Sequence, residues 1–78
     1  MIDLNKMSVQ EAKDIFVKNN DLRLDVVTNM KKYGGSFVVA LSECIILADI
    51  NNLRKIADTF IAYIIEYQPS RWPKKDDL

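Results

Sequence analysis

The chain has 78 residues, eleven basic against eleven acidic, with 49% apolar, one cysteine and no histidine. That length allows one domain, residues 1–78. One thiol excludes an intramolecular disulfide, and the lack of histidine excludes a Cys/His zinc site and a Cys–His nucleophilic pair.

A domain this small buries only roughly 60–65% of the surface that its unfolded chain exposes. Such domains usually need a disulfide, a metal or a partner subunit. With the first two excluded, association or very regular packing remains. The balanced charge argues against nucleic acid as a partner, because a dedicated binder carries a basic excess. The segment MIDLNKMSVQ lacks the basic and apolar regions of a signal peptide. The longest apolar runs, 37–41 and 44–48, are too short to span a bilayer. The expectation is a cytoplasmic protein with no membrane association and no cofactor.

In chain order, Ile2 and Leu4 alternate with polar residues and read as an extended docking arm. Ser8-Val9-Gln10-Glu11 reads as a capping box, in which the serine hydroxyl and the glutamate carboxylate each satisfy an amide at the helix start. Val9, Ala12, Ile15 and Phe16 share one helical face, predicting a helix over about 9–18. Asn19 and Asn20 end it, since their side chains compete for local backbone groups. Asp21 is the expected cap of a second helix over about 22–33, with Leu22, Val26, Val27 and Met30 on its apolar face. Lys31 and Lys32 complement the dipole in its last turn.

Gly34-Gly35 contains both glycines of the chain. Gly34 is expected to close the second helix in the left-handed conformation, and Ser36 to cap the third. From 37 to 48 only Ser42 and Glu43 are polar. A helix apolar nearly all round is buried on most sides, in the core, in a subunit interface or in both. Asp49 or Asn51 then caps a fourth helix over about 52–67. Its residues Leu53, Ile56, Ala57, Phe60, Ile61, Ile64 and Tyr67 keep a three–four spacing. The short connection predicts an antiparallel αα-hairpin. Pro69 stops the fourth helix. The segments expected to be least tied down are the arm at 1–7 and the polar tail at 68–78. The fold expectation is therefore all-α: a bundle of about four helices built on that hairpin and completed by homo-oligomerisation.

No catalytic constellation emerges. Cys44, in the most apolar helix, reads as a small hydrophobic filler. Glu43 reads as solvent-facing. Asp49-Ile50-Asn51-Asn52 lacks the ligand spacing of a calcium loop. Gly34-Gly35-Ser36, preceded by Lys31 and Lys32 and with Arg54 supplied across a subunit interface, forms a candidate anion or nucleotide site, because helix-start amides bind anions. A tight interhelical turn explains the glycines without a ligand and is the preferred reading. The surplus of apolar side chains on the third and fourth helices marks Phe37, Val38, Leu41, Ile45, Ile46, Phe60, Tyr63, Ile64 and Tyr67 as candidate interface. Arg71 and Trp72 join them as an anchor pair. For Trp72 a second reading stands equal, in which the indole folds back over the open end of the hairpin.

The stretch 33–67 resembles a class of small helical proteins from phage and prophage genomes. The shared features are Gly34 to Phe37, Ala40-Leu41, Ala48-Asp49 with Asn52, and Phe60, Tyr63 and Tyr67. The resemblance implies a small accessory protein acting on a host protein inside a bacterial cell. The leading expectation is thus a non-enzymatic oligomer that binds protein, a modulator or inhibitor of a host defence or regulatory component. A small-ligand or nucleotide binder is the second, and a DNA-binding helical dimer the third.

Overall fold

The computed structural model describes residues 2–72. They form four helices, α1 (Val9–Lys18), α2 (Asn20–Tyr33), α3 (Ser36–Leu47) and α4 (Ile50–Glu66), with 3-10 turns at Leu4–Lys6 and Pro69–Arg71. The architecture is the expected all-α bundle, and no strand occurs among the described residues.

The capping box forms at α1. Ser8 Oγ accepts from the Glu11 amide at 3.1 Å, and Glu11 Oε1 accepts from the Ser8 amide at 3.4 Å. Ala12, Phe16 and Val17 are buried, whereas Val9 stays on the surface. The break between α1 and α2 differs from expectation. Asn19 does end α1, but Asn20 already belongs to α2, and the cap is Asn19 rather than Asp21. The Asn19 backbone is extended, and its Oδ1 accepts from the Leu22 amide at 3.0 Å. One residue therefore terminates one helix and starts the next. Arg23 completes the corner, donating to the carbonyls of Phe16 at 3.0 Å and Val17 at 2.7 Å. Those are end carbonyls that α1 itself leaves unpaired.

Leu22, Val26, Val27 and Met30 are all buried, as their spacing implied. At the α2–α3 junction neither glycine has a positive φ; Gly34 lies at φ −85°, ψ 160°. The expected left-handed closure is absent, and close approach explains the residue instead. A Cβ on Gly34 would strike Val38 Cγ1 and would lie 2.6 Å from the Met30 carbonyl oxygen. Nor does Ser36 cap α3. It is the first helical residue, Gly35 holds the cap position, and no side chain bonds there.

Asp49 caps α4, its Oδ1 accepting from the Asn52 amide at 2.8 Å, so the helix starts at Ile50. Ala48 and Asp49 are both extended, and α3 and α4 run side by side only loosely, meeting through Phe37 against Phe60 and Tyr63 at the end away from this link. The dominant pairings are therefore α1 with α4 and α2 with α3, while α3 and α4 touch sparingly. The hairpin is present in the chain but is not the packing unit. Within α4, Phe60 leaves helical geometry at φ −117°, ψ 26°. The kink has neither proline nor glycine, and an aromatic cluster sits on it.

Arm and tail are docked as far as they are described. Leu4 is 1% exposed, and its amide donates to Oε1 of the fully buried Gln68 at 2.6 Å. The arm is a 3-10 turn capped by Asp3 rather than an extended strand. Trp72 folds back, one of the two readings of the sequence. It stacks on Tyr33 at 4.3 Å and on Tyr67 at 5.5 Å, and its indole N–H donates to the Glu66 carbonyl at 2.8 Å. The remaining tail, with Lys74 and Lys75, lies outside the described residues.

Candidate interaction surface

Helix α3 is covered on one side only. Val38, Leu41, Ser42 and Ile45 are buried, at i, i+3, i+4 and i+7. The opposite side carries Phe37, Ala40, Cys44 and Leu47, at i, i+3, i+7 and i+10, and all four are exposed. Both rows are apolar enough to have gone inward, so periodicity alone does not choose between them. Ser42 is compatible with the inner row. Its hydroxyl donates to the Val39 carbonyl at 2.6 Å, which lets it be buried without an orphaned polar group. The row containing Ser42 faces the core, and the row containing Cys44 faces out.

Five of the expected interface residues therefore sit elsewhere. Val38, Leu41, Ile45 and Ile64 are between 0 and 7% exposed and belong to the chain's own core. Tyr67 is likewise buried, under Trp72. Phe37, Ile46 and Tyr63 are exposed as expected, with Phe60 half-buried beside them. Phe37, Phe60 and Tyr63 form a tilted aromatic cluster with centroids 5.6–6.2 Å apart. It joins the start of α3 to the later part of α4. Arg71 is exposed, but Trp72 is occupied by its stack and does not serve as an outward anchor.

Ala40, Cys44, Leu47 and Ile50 also reach the surface, and apolar spacing did not single them out. Cys44 is no core filler but an exposed thiol on the outer row. Leu47 is 83% exposed, the most open large apolar side chain of those described. At the same end of α3, Leu24, Ile46 and Ile50 rim a groove of about 240 Å³ floored by Val27, Ile45 and Leu53.

The candidate anion residues do not converge. Lys31 pairs with Glu43 at 3.0 Å, and the Lys32 ammonium lies 5.4 Å from the Tyr33 ring centre. Gly34 is explained by packing, and the space beside Gly35 is empty. Arg54 sits in the second turn of α4, at the far end of α3, which is about 18 Å long. Its guanidinium lies 3.8 Å from Asp14 of α1. A site combining Arg54 with Gly34-Gly35-Ser36 therefore does not exist within one chain. Among the described residues no cluster of three potential metal ligands occurs, and no helix is long and apolar enough to cross a membrane.

Comparison with protein-family models, curated proteins and solved structures finds no match to this chain.

Proposed function

We propose that this is a non-enzymatic protein that works by protein–protein binding, associating with itself and presenting apolar helix surface to a second protein. One observation carries the reading: the outer side of α3 is a row of uncharged, exposed side chains, Phe37, Ala40, Cys44 and Leu47. Isolated exposed apolar residues are ordinary, but a continuous patch marks an interaction site. Glu43, the single charge of α3, lies beside the row and is already paired with Lys31. The likeness of 33–67 to small phage and prophage proteins extends the proposal. It makes the second protein a defence or regulatory component of a bacterial host, met in the cytoplasm.

Sedimentation velocity over a rising protein concentration tests the reading. The wild type shifts from monomer toward a larger species in the micromolar range. Leu47→Lys keeps its helical circular dichroism, because the side chain is almost wholly in solvent, and it stays monomeric. A wild type that remains monomeric throughout removes the main support.

A further inference from the structure

We infer that the outer row of α3 is covered by α3 of a second copy, in an antiparallel pairing whose twofold axis passes between Ala40 and Cys44. The inference rests on the protein-binding reading above and specifies one partner and one register for it.

Three observations lead there. The first is the order of sizes along the row. Phe37 and Leu47 are large and stand at the two ends, while Ala40 and Cys44 are small and lie between them. Small residues at a crossing let two helix backbones approach closely. Turned about an axis between Ala40 and Cys44, the row fits its own image. Phe37 meets the partner's Leu47, Ala40 meets the partner's Cys44, and each bulky end flanks the close crossing.

The second observation is electrostatic. Helix α3 has no acidic residue in its first turn, no basic residue in its last, and no side-chain cap at its start. Its partial charges, positive at the amino end and negative at the carboxyl end, are left uncompensated by its own side chains. An antiparallel copy sets each end beside the opposite end of its neighbour. A parallel copy sets like beside like. The Lys31–Glu43 pair removes the like-charge repulsion that two copies of Glu43 would otherwise bring to the seam.

The third is area. One side of an 18 Å rod about 10–12 Å across offers roughly 300–400 Å². A standard interface takes about 800 Å² from each partner. The half-buried Phe60 and exposed Tyr63, clustered with Phe37, widen the face at one end. The total stays below a standard interface, so the dimer is a weak one.

Disulfide trapping tests the register. In this pairing the two Cys44 residues are offset by about 6 Å along the helices, four residues at 1.5 Å each. With the separation across the crossing added, their Cα atoms lie beyond the roughly 7 Å limit for a disulfide. A thiol placed at Ala40 lies opposite the partner's Cys44. Under copper-phenanthroline oxidation at a protein concentration that populates the dimer, Ala40→Cys is expected to run as a covalent dimer. The wild type is expected to stay largely uncrosslinked. Ala40 is exposed, and circular dichroism checks that the variant folds. A wild type that crosslinks as readily as Ala40→Cys overturns the antiparallel pairing while leaving self-association standing. A dimer by sedimentation in which neither protein crosslinks overturns the pairing in the same way. A wild type that sediments as a monomer at every concentration, with Ala40→Cys uncrosslinked, overturns both this pairing and the reading beneath it.

Discussion

At Gly34 a single missing methyl group sets how closely α2 and α3 approach. The obstacle to a Cβ there is partly the Met30 carbonyl, which is helix backbone and has no alternative rotamer. Gly34→Ala is therefore expected to destabilise the fold by about 1–3 kcal/mol, the usual range for overpacking, read as a lower urea midpoint. Gly35 has nothing within 4 Å of its would-be Cβ and an ordinary extended backbone. Gly35→Ala is expected to leave stability unchanged or raise it by about 0.4–1 kcal/mol, through the unfolded state. The contrast separates two adjacent glycines that the sequence presents as one motif. The pair announces a junction, but only the positions of Met30 and Val38 show which glycine is required and that left-handed geometry is not the reason. Buried Gln68 is a second such residue. Removing its Oε1 leaves the Leu4 amide unpaired in the interior, so Gln68→Ala should cost about 1–3 kcal/mol by chemical denaturation.

Among the elements, α2 is the most legible from sequence, whereas the apolar face of α1 has Val9 outside and Val17 inside. The buried set Leu22, Val26, Val27 and Met30 of α2 is the set its spacing implied, and the Ser8–Glu11 capping box forms as written. Helix α3 was less legible because it has two apolar rows and one polar residue able to hide its hydroxyl. Its orientation is a property of its neighbours α1, α2 and α4. The α3–α4 hairpin is antiparallel, as its short connection implies, with Phe37 against Phe60 and Tyr63. A short connection fixes the direction of two helices but not which neighbour each packs on most closely, and α4 packs mainly on α1. Long-range docking of the termini carries no local signal at all. The Tyr33–Trp72–Tyr67 stack joins α2 to the tail, and Trp72 is the one tryptophan of the chain. Tyr33→Ala is expected to shift tryptophan emission to longer wavelength, as water reaches the indole. The loss of that stacked pair should cost about 0.5–1.5 kcal/mol beyond the buried area. An unchanged emission spectrum would mean that the stack does not hold the tail.

For the molecule as a whole, the two rows of α3 make opposite demands. Leu41, on the inner row, is 6% exposed, so Leu41→Asp places an unpaired charge in the core and should unfold the chain, seen as lost helical circular dichroism. Leu47, on the outer row, tolerates charge in the monomer. The self-association expected from composition alone rested on a surplus of apolar surface over both the third and fourth helices. The fold narrows that surplus. Leu53, Ala57 and Ile64 of α4 go into the core, and one side of α3 stays exposed with Tyr63 beside it, while Val9, Leu24, Ile46 and Ile50 are exposed elsewhere. Association through that side is expected to be weak and to depend on concentration. The most direct measurement is sedimentation velocity of the wild type and Leu47→Lys side by side across the micromolar range. The weight-average mass of the wild type is expected to rise toward twice the monomer while Leu47→Lys stays at the monomer mass. Two proteins that sediment identically at every concentration would contradict it.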